Sequence, residues 1–164
     1  MKHFTKENFR TMSWKNGGGV TTELLRISDH TSDNPEDFLL RISMAQVKSD
    51  GPFSLYPGVD RHLLILEGNG CILNHQIRLT RNSQVYFFQG EENIDCNLID
   101  GEISDFNVMV KRGWRNVKVE RGIFSTYSGN ELTYVFLAKS YELIEIENES
   151  VSFPEQECII VSII

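Results

Sequence analysis

Residues 41–70 read RISMAQVKSDGPFSLYPGVDRHLLILEGNG, and this stretch decides the fold. Its pattern predicts a strand over 41–47, a loop punctuated by Gly and Pro over 49–58, a second strand over 59–67 and a tight turn at 68–70. The segment from Phe53 to Arg61 collects an aromatic ring, hydroxyl groups, a carboxylate and a guanidinium. Because loops held by rigid strands commonly carry binding chemistry, we place the candidate site here.

The remaining periodic segments also have the period of a strand rather than that of a helix. They are short, rich in Val, Ile, Leu, Phe and Tyr, and bounded by Gly, Asn, Asp or Pro, which is typical of an all-β sandwich or barrel. The predicted strands are 59–66, 71–79, 84–88, 105–111, 131–138, 142–147 and 157–163. Only a short helical turn within 4–11 is expected, with Thr5 as its cap.

The composition argues against some classes of function. The chain has 164 residues, of which 40% are hydrophobic and 24% charged, an ordinary globular balance. A net charge of −7 argues against nucleic acid as a partner, because phosphate contacts need a basic face. No signal peptide or membrane-spanning run is visible, so we expect a soluble, cytoplasmic protein that does not bind membranes. The three cysteines form no CxxC pair and are expected to be reduced.

A weak internal repeat suggests how the chain is organised. Residues 64–88 and 135–162 follow the same order of strands and turns, with Ile72 falling on Ile144 and Leu79 on Val151. Two apolar runs also align by chance in all-β chains, so the repeat alone does not establish a duplication. A true duplication predicts two jelly-roll lobes, a bicupin. The first cupin motif would then cover about 41–112, and the second lobe, 113–164, would be completed by N-terminal strands within 1–40.

The turn at 64–70 resembles the end of the first metal-binding motif of cupin barrels. Carried over by position, the cupin glutamate falls on Arg61, the two histidines fall near Ser54 and Tyr56, and the fourth ligand falls on Asn93. A guanidinium repels a divalent ion, and neutral Ser, Tyr and Asn do not replace imidazole and carboxylate. We therefore predict no metal and no other cofactor. A buried Arg61 needs an anionic partner, either an internal carboxylate (Asp105 or Glu23) or a bound anion.

Two further segments contribute candidate residues. Residues 14–23, WKNGGGVTTE, place three glycines beside Trp14, and their amides would form an anion nest unless the segment is only a turn next to a core Trp. In the strand 105–111, Asp105, Asn107 and Met109 share one face, which suggests a cavity wall; a solvated edge is the alternative. The basic end, Lys111-Arg112, is expected to be an exposed strand terminus.

Taken together, these segments resemble the HutD/Ves family of small bicupins. The matching pieces are Trp14–Gly19 with Thr21 and Glu23, Arg41–Ala45, Asp50–Ser54, Pro57-Gly58, Asp60-Arg61, Leu66–Gly68, and Asp105–Met109 with Arg112. The resemblance implies a double-stranded β-helix without a metal. For members encoded with histidine-degradation enzymes it implies a regulatory or fail-safe role and binding of formylated glutamate intermediates, whereas other members are described as stress-related.

We therefore expect a non-catalytic, RmlC-like cupin that binds a small anionic metabolite, such as an N-formyl or N-formimino amino acid. Arg61 would hold its carboxylate. The other expected ligand-binding residues are Trp14, Asn16, Thr21, Glu23, Arg41, Phe53, Ser54, Tyr56, Phe88, Asp105 and Asn107. No catalytic residue is assigned, although a metal-free epimerase- or isomerase-like cupin, using Glu23, Asp105 or Tyr56 in acid–base work, is the alternative. A homodimer and a protein-interaction module are left open.

Overall fold

The computed structural model describes residues 1–164, and nearly all of its regular structure is β-strand. The strands are β1 (Lys2–Phe4), β2 (Arg10–Ser13), β3 (Gly19–Ser28), β4 (Phe38–Val47), β5 (Gly51–Pro52), β6 (Val59–Glu67), β7 (Cys71–Leu73), β8 (Ile77–Leu79), β9 (Tyr86–Gln89), β10 (Asp95–Leu98), β11 (Ile103–Lys111), β12 (Val117–Gly129), β13 (Thr133–Leu137), β14 (Glu142–Ile146) and β15 (Glu149–Ile163). The helical content is one 3₁₀ turn, Lys6–Asn8. The chain forms two compact units, Arg10–Trp114 and Met1–Phe9 with Arg115–Ile164.

The larger unit consists of two antiparallel sheets. One has six strands in the order β2-β3-β4-β11-β6-β9, and the other has four in the order β5-β10-β7-β8. Side chains alternate between faces along each strand, so one face of β6 carries Arg61, Leu63 and Ile65. Leu63 and Ile65 pack with residues of β7, β8 and β10, including Leu73, into one core. The two sheets therefore pack face to face through their apolar residues.

The smaller unit is one five-stranded sheet, in the order β1-β14-β13-β15-β12. Its apolar residues, among them Val135, Ile144, Cys158 and Ile160, form a core of their own. The longest pairing joins β12 and β15 and contains an irregularity between Phe124 and Thr126.

The predicted all-β fold is confirmed, but three details of the prediction differ from the structure. The segment 71–79 is a hairpin of two strands, because Asn74 and His75 adopt left-handed φ angles of 50° and 58°. Strand β12 was not predicted and the bounds of β3 were not predicted, since polar and charged residues interrupt the apolar pattern of both.

The third difference concerns the N-terminal residues. Of the strands within 1–40 that we assigned to the second lobe, only β1 pairs there, with β14. Strands β2 and β3 extend the six-stranded sheet instead, through the pairing of β3 with β4. No helix in the structure has the length and hydropathy needed to cross a membrane.

Candidate functional site

The six-stranded sheet carries a cavity of about 620 Å³ on its inner face. This volume is in the range of pockets for small molecules. The lining residues are Met12, Ser13, Trp14, Lys15, Asn16, Thr21, Arg26, Glu36, Phe38, Arg41, Ser43, Ala45, Pro52, Phe53, Ser54, Tyr56, Arg61, Asp105, Asn107 and Met109. All of them belong to the larger unit.

The register of the sheet places the polar side chains in adjoining rows. One row crosses four strands as Arg26, Arg41, Met109 and Arg61. The next rows are Glu23, Ser43 and Asn107, and then Thr21, Ala45 and Asp105. Because neighbouring strands lie about 4.8 Å apart and alternate residues about 6.7 Å apart, these groups converge on one small volume.

Arg61 is the central cation of this grid, and it is almost completely buried, with 4% of its surface exposed. Its guanidinium carbon lies 4.8–5.5 Å from the ring centres of Phe53, Tyr56 and Phe88, so aromatic faces surround it. Nη1 donates a hydrogen bond of 3.2 Å to the carbonyl oxygen of Ser54. Nε has no hydrogen-bond partner in the protein. Burial lowers the pKa of Arg61 to about 10, so the group stays charged at neutral pH.

Asp105 and Asn107, on β11, face the same cavity. Their exposed fractions are 3% and 6%, and the Oδ1 atom of each lacks a hydrogen-bond partner. Burial raises the pKa of Asp105 to about 7, against the opposing effects of the Arg61 charge and a hydrogen bond from the Ala45 backbone. Since buried polar groups are nearly always hydrogen-bonded, the three unpartnered atoms, Arg61 Nε, Asp105 Oδ1 and Asn107 Oδ1, indicate a place for a polar ligand.

Glu23 fixes the other two arginines of the row. Its Oε2 accepts hydrogen bonds from Arg41 Nε at 2.6 Å and Arg26 Nη2 at 3.0 Å. A regular strand would send residues 23 and 26 to opposite faces, but a bulge between Glu23 and Leu25 brings them to one face. Burial acts to raise the pKa of Glu23, yet the two guanidinium groups outweigh it and hold the pKa below 4.5. Glu23 therefore stays ionised and holds both arginines, and the exposed Glu36 contacts Arg26 at 3.5 Å.

The loop that carries Tyr56 is held by its backbone. The amide of Tyr56 donates to the carbonyl of Gly90 at 2.7 Å, and the amide of Gly90 donates to the carbonyl of Val59 at 2.6 Å. A Cβ atom at Gly90 would lie 2.3 Å from the Tyr56 carbonyl oxygen, so a side chain there is excluded. The hydroxyl of Tyr56 lies 3.5 Å from Arg41 Nη1, at the outer limit of a hydrogen bond.

The segment with three glycines positions Trp14 at the cavity. The indole Nε1 donates to Thr21 Oγ1 at 2.8 Å. The amides of Gly17 and Gly18 donate to Trp14 O and Asn16 Oδ1. These two amides are therefore engaged within the segment, and the predicted anion nest is not formed by them.

The structure brings the predicted site residues together. Except for Glu23 and Phe88, all of them line the cavity: Trp14, Asn16, Thr21, Arg41, Phe53, Ser54, Tyr56, Arg61, Asp105 and Asn107. Phe88 instead supports Arg61 from the core, and Glu23 holds two arginines. Glu23 was one of the two carboxylates expected as an internal partner of Arg61. In the structure it does not pair with Arg61.

Sequence reasoning missed Arg26, Phe38 and Ser43 as lining residues. Ser43 could have been found from its alternation with Arg41 on a predicted strand. Arg26 could not, because only the bulge brings it to this face. The expectation that Lys111 and Arg112 form an exposed strand end is confirmed, since both residues are exposed where β11 ends. Lys111 pairs with Asp29, and Arg112 pairs with Asp60 at 2.8 Å and Glu91 at 2.7 Å.

The positions that correspond to cupin metal ligands have other contacts. Ser54 accepts a hydrogen bond from Arg61, and Tyr56 lies under the guanidinium of Arg61. Asn93 does not line the cavity, and its carbonyl accepts a hydrogen bond from Asn74 Nδ2. No group of three or more His, Cys, Asp or Glu side chains is arranged to hold a metal ion.

Comparison of the sequence with known proteins identifies relatives along most of the chain. A model of the HutD family matches residues 6–163. An uncharacterized 21.2 kDa protein from the hutC 3′ region of Pseudomonas putida is 29% identical over 150 residues, which are 88% of this chain and 77% of that protein. Protein Ves of Citrobacter koseri is 32% identical over 123 residues, which are 73% of this chain and 62% of that protein.

Solved structures agree with the fold. HutD from Pseudomonas fluorescens SBW25 superposes with a TM-score of 0.80 at 23% identity, over 99% of this chain and 98% of that one. A cupin 2 conserved barrel domain protein from Leptotrichia buccalis gives a TM-score of 0.50 at 8% identity, over 98% and 100% of the two chains. The chain therefore has the cupin-like fold that was predicted. The chain belongs to the HutD family, as its resemblance to HutD and Ves indicated.

Proposed function

We propose that this protein is a non-catalytic cupin that binds a small organic anion in the cavity around Arg61. The observation that carries the proposal is the state of Arg61: buried, charged, stacked among three aromatic rings and without a carboxylate in an ion pair. Leaving such a charge unpaired is costly, and an anionic ligand would offset that cost. Arg26 and Arg41 also lie in this cavity and share the carboxylate of Glu23, while the exposed Glu36 contacts Arg26 as well.

An N-formyl or N-formimino amino acid suits the remaining groups. Its carboxylate would accept hydrogen bonds from Arg61, and its nitrogen-bound hydrogen would be donated to Asn107 Oδ1, which has no partner in the chain. Phe53, Tyr56 and Trp14 would provide apolar walls. The HutD family and the relative from the hutC 3′ region support a link with histidine utilisation. A regulatory or fail-safe role in that pathway is what the resemblance to HutD implies, and a role in stress response is the alternative that the resemblance to Ves implies.

Calorimetric titration with N-formylglutamate tests the proposal. A hydrogen-bonded contact to a charged group contributes about 1.5–3 kcal/mol, so Arg61→Ala is expected to weaken binding by roughly 10- to 150-fold. Arg78→Ala is the matched control, because Arg78 is exposed on β8 and lies outside the cavity. Circular dichroism verifies that both variants are folded. Equal affinity of the wild type and Arg61→Ala would remove Arg61 from the site.

A second candidate function is that of a metal-free epimerase- or isomerase-like enzyme. It is favoured by Asp105, whose pKa of about 7 suits general acid–base chemistry at neutral pH. Glu23 is a weaker candidate base, since its carboxylate is held by two guanidinium groups. Incubation of candidate metabolites with the protein in D₂O separates the two functions. A binding protein leaves every C–H bond unexchanged, whereas an epimerase incorporates deuterium at the reacting carbon.

A further inference from the structure

Asp105 and Arg61 are buried on neighbouring strands of one sheet and face one cavity, yet they form no hydrogen bond or ion pair with each other. Asp105 on β11 lies beside Ile65, and Arg61 on β6 lies beside Met109, so the two groups are offset by four positions along the strands. The charges still influence each other, since each acts on the pKa of the other. Oδ1 of Asp105 and Nε of Arg61 both lack a partner. Two unpaired, opposite charges at the bottom of a cavity leave room for a third group between them.

Other titratable groups surround Asp105 without neutralising it. The charged and titratable groups on the elements around it are Arg61 on β6, Arg41 on β4, Glu23 and Arg26 on β3, Tyr56 in the loop before β6, and the thiols of Cys71 on β7 and Cys96 on β10. Glu23 is occupied by two arginines. The protonation state of the Asp105 carboxyl group therefore decides whether the Arg61 guanidinium is free to bind an anion.

An anion that binds Arg61 raises the pKa of Asp105. It adds a negative charge nearby and excludes water, and both effects favour the neutral carboxylic acid. An ionised Asp105 would compete for Arg61 and repel the ligand, whereas a protonated Asp105 releases the guanidinium and gains an O–H that can be donated to the ligand. Burial already brings the pKa of Asp105 to about 7, so the exchange occurs near neutral pH.

We propose that the cavity takes up an anion together with one proton, and that the carboxyl group of Asp105 holds this proton. The inference rests on the proposed function, because it describes how the same site binds its ligand. With one linked proton, affinity is constant while free Asp105 is protonated and falls about tenfold for each pH unit above its pKa. Binding therefore weakens by about 50-fold between pH 7 and pH 9, although the ligand and Arg61 keep their charges.

Titration calorimetry of the full chain with N-formylglutamate, at several pH values between 6 and 9, tests the coupling. Each titration is run in two buffers of different ionisation enthalpy, such as phosphate and Tris, so that the heat reports the number of protons taken up. We expect uptake close to zero at pH 6 and close to one at pH 8. Asp105→Asn, which keeps a neutral side chain of the same shape, is expected to abolish both the uptake and the pH dependence. Asp33→Asn, at an exposed carboxylate outside the cavity, is the control that retains both.

The outcomes separate this inference from the proposed function. Tight binding without proton uptake at pH 8, or uptake that persists in Asp105→Asn, overturns the inference and leaves the binding function standing. If N-formylglutamate does not bind at any pH, that ligand is wrong. In that case acetate serves as a generic carboxylate ligand, and the pKa of Asp105 is measured with and without acetate by ¹³C NMR titration of its carboxyl group. A rise in the pKa of Asp105 with acetate supports the inference, and an unchanged pKa overturns it.

Discussion

Replacing Glu23 by Gln tests whether this one carboxylate organises the row of arginines. Arg41 is 7% exposed, and its hydrogen bond of 2.6 Å to Glu23 is its main polar contact. Arg26 donates to the same carboxylate from Nε at 3.1 Å and from Nη2 at 3.0 Å. Removing one partner of a buried ion pair costs about 3–5 kcal/mol. Gln keeps one acceptor oxygen, so we expect Glu23→Gln to lower the free energy of unfolding by about 3 kcal/mol.

Urea unfolding followed by circular dichroism measures this change, and thermal unfolding should show a decrease in Tm of about 6–12 °C. Glu36→Gln is the matched control, because Glu36 contacts Arg26 from an exposed position and should change stability by less than about 1 kcal/mol. A loss in Glu23→Gln no larger than that of the control would refute the reasoning, since the carboxylate would then not be holding the arginines.

The pH dependence of the same variant provides an independent check. The pKa of Glu23 in the folded protein lies below its ordinary value of 4.5. A group with a lowered folded pKa contributes stability above its unfolded pKa and loses that contribution as the pH falls through the folded value. The difference in stability between the wild type and Glu23→Gln should therefore be constant at neutral pH and shrink below pH 4.5.

Two further predictions concern residues outside the charged row. In Gly19→Ala, the new Cβ would lie 2.5 Å from the Gln46 carbonyl oxygen and 2.9 Å from Trp14 Cε3, so we expect a loss of about 1–3 kcal/mol and a shift of tryptophan emission. In the control Gly17→Ala, the new Cβ meets no atom within 4 Å, but φ is 73°, so the variant should be destabilised without a shift of the emission. Unchanged tryptophan emission in Gly19→Ala would contradict the packing argument. The three free thiols belong to Cys71, Cys96 and Cys158, and each of these residues is 0–1% exposed. They should not react with a thiol reagent until the protein is unfolded. Rapid stoichiometric labelling of the native protein would contradict their burial.

Local pattern was sufficient to predict much of the larger unit. Alternation along β11 correctly placed Asp105, Asn107 and Met109 on one face, because a strand has a period of two whatever its neighbours are. Arg61 was singled out by its position relative to the Gly turn at 68–70, which fixes the phase of β6. Both features depend on a few adjacent residues.

The remainder depends on pairings between distant parts of the chain. Neither the bulge that turns Arg26 towards Glu23 nor the sharing of Glu23 with Arg41 has a signal in the local sequence. The assignment of β2 and β3 to the second lobe failed for the same reason. Which sheet a strand joins is decided by its hydrogen-bonding partner, and here β3 pairs with β4 over most of its length.

The position of Trp14 has a practical consequence. The chain contains two tryptophans, and one of them lines the cavity with its indole fixed to Thr21. Trp14 thus provides an intrinsic optical probe inside the pocket, and the variant Trp114→Phe leaves it as the single indole emitter. Libraries of unlabelled metabolites could then be screened by fluorescence in multiwell plates, with no assumption about which compound the pocket accepts.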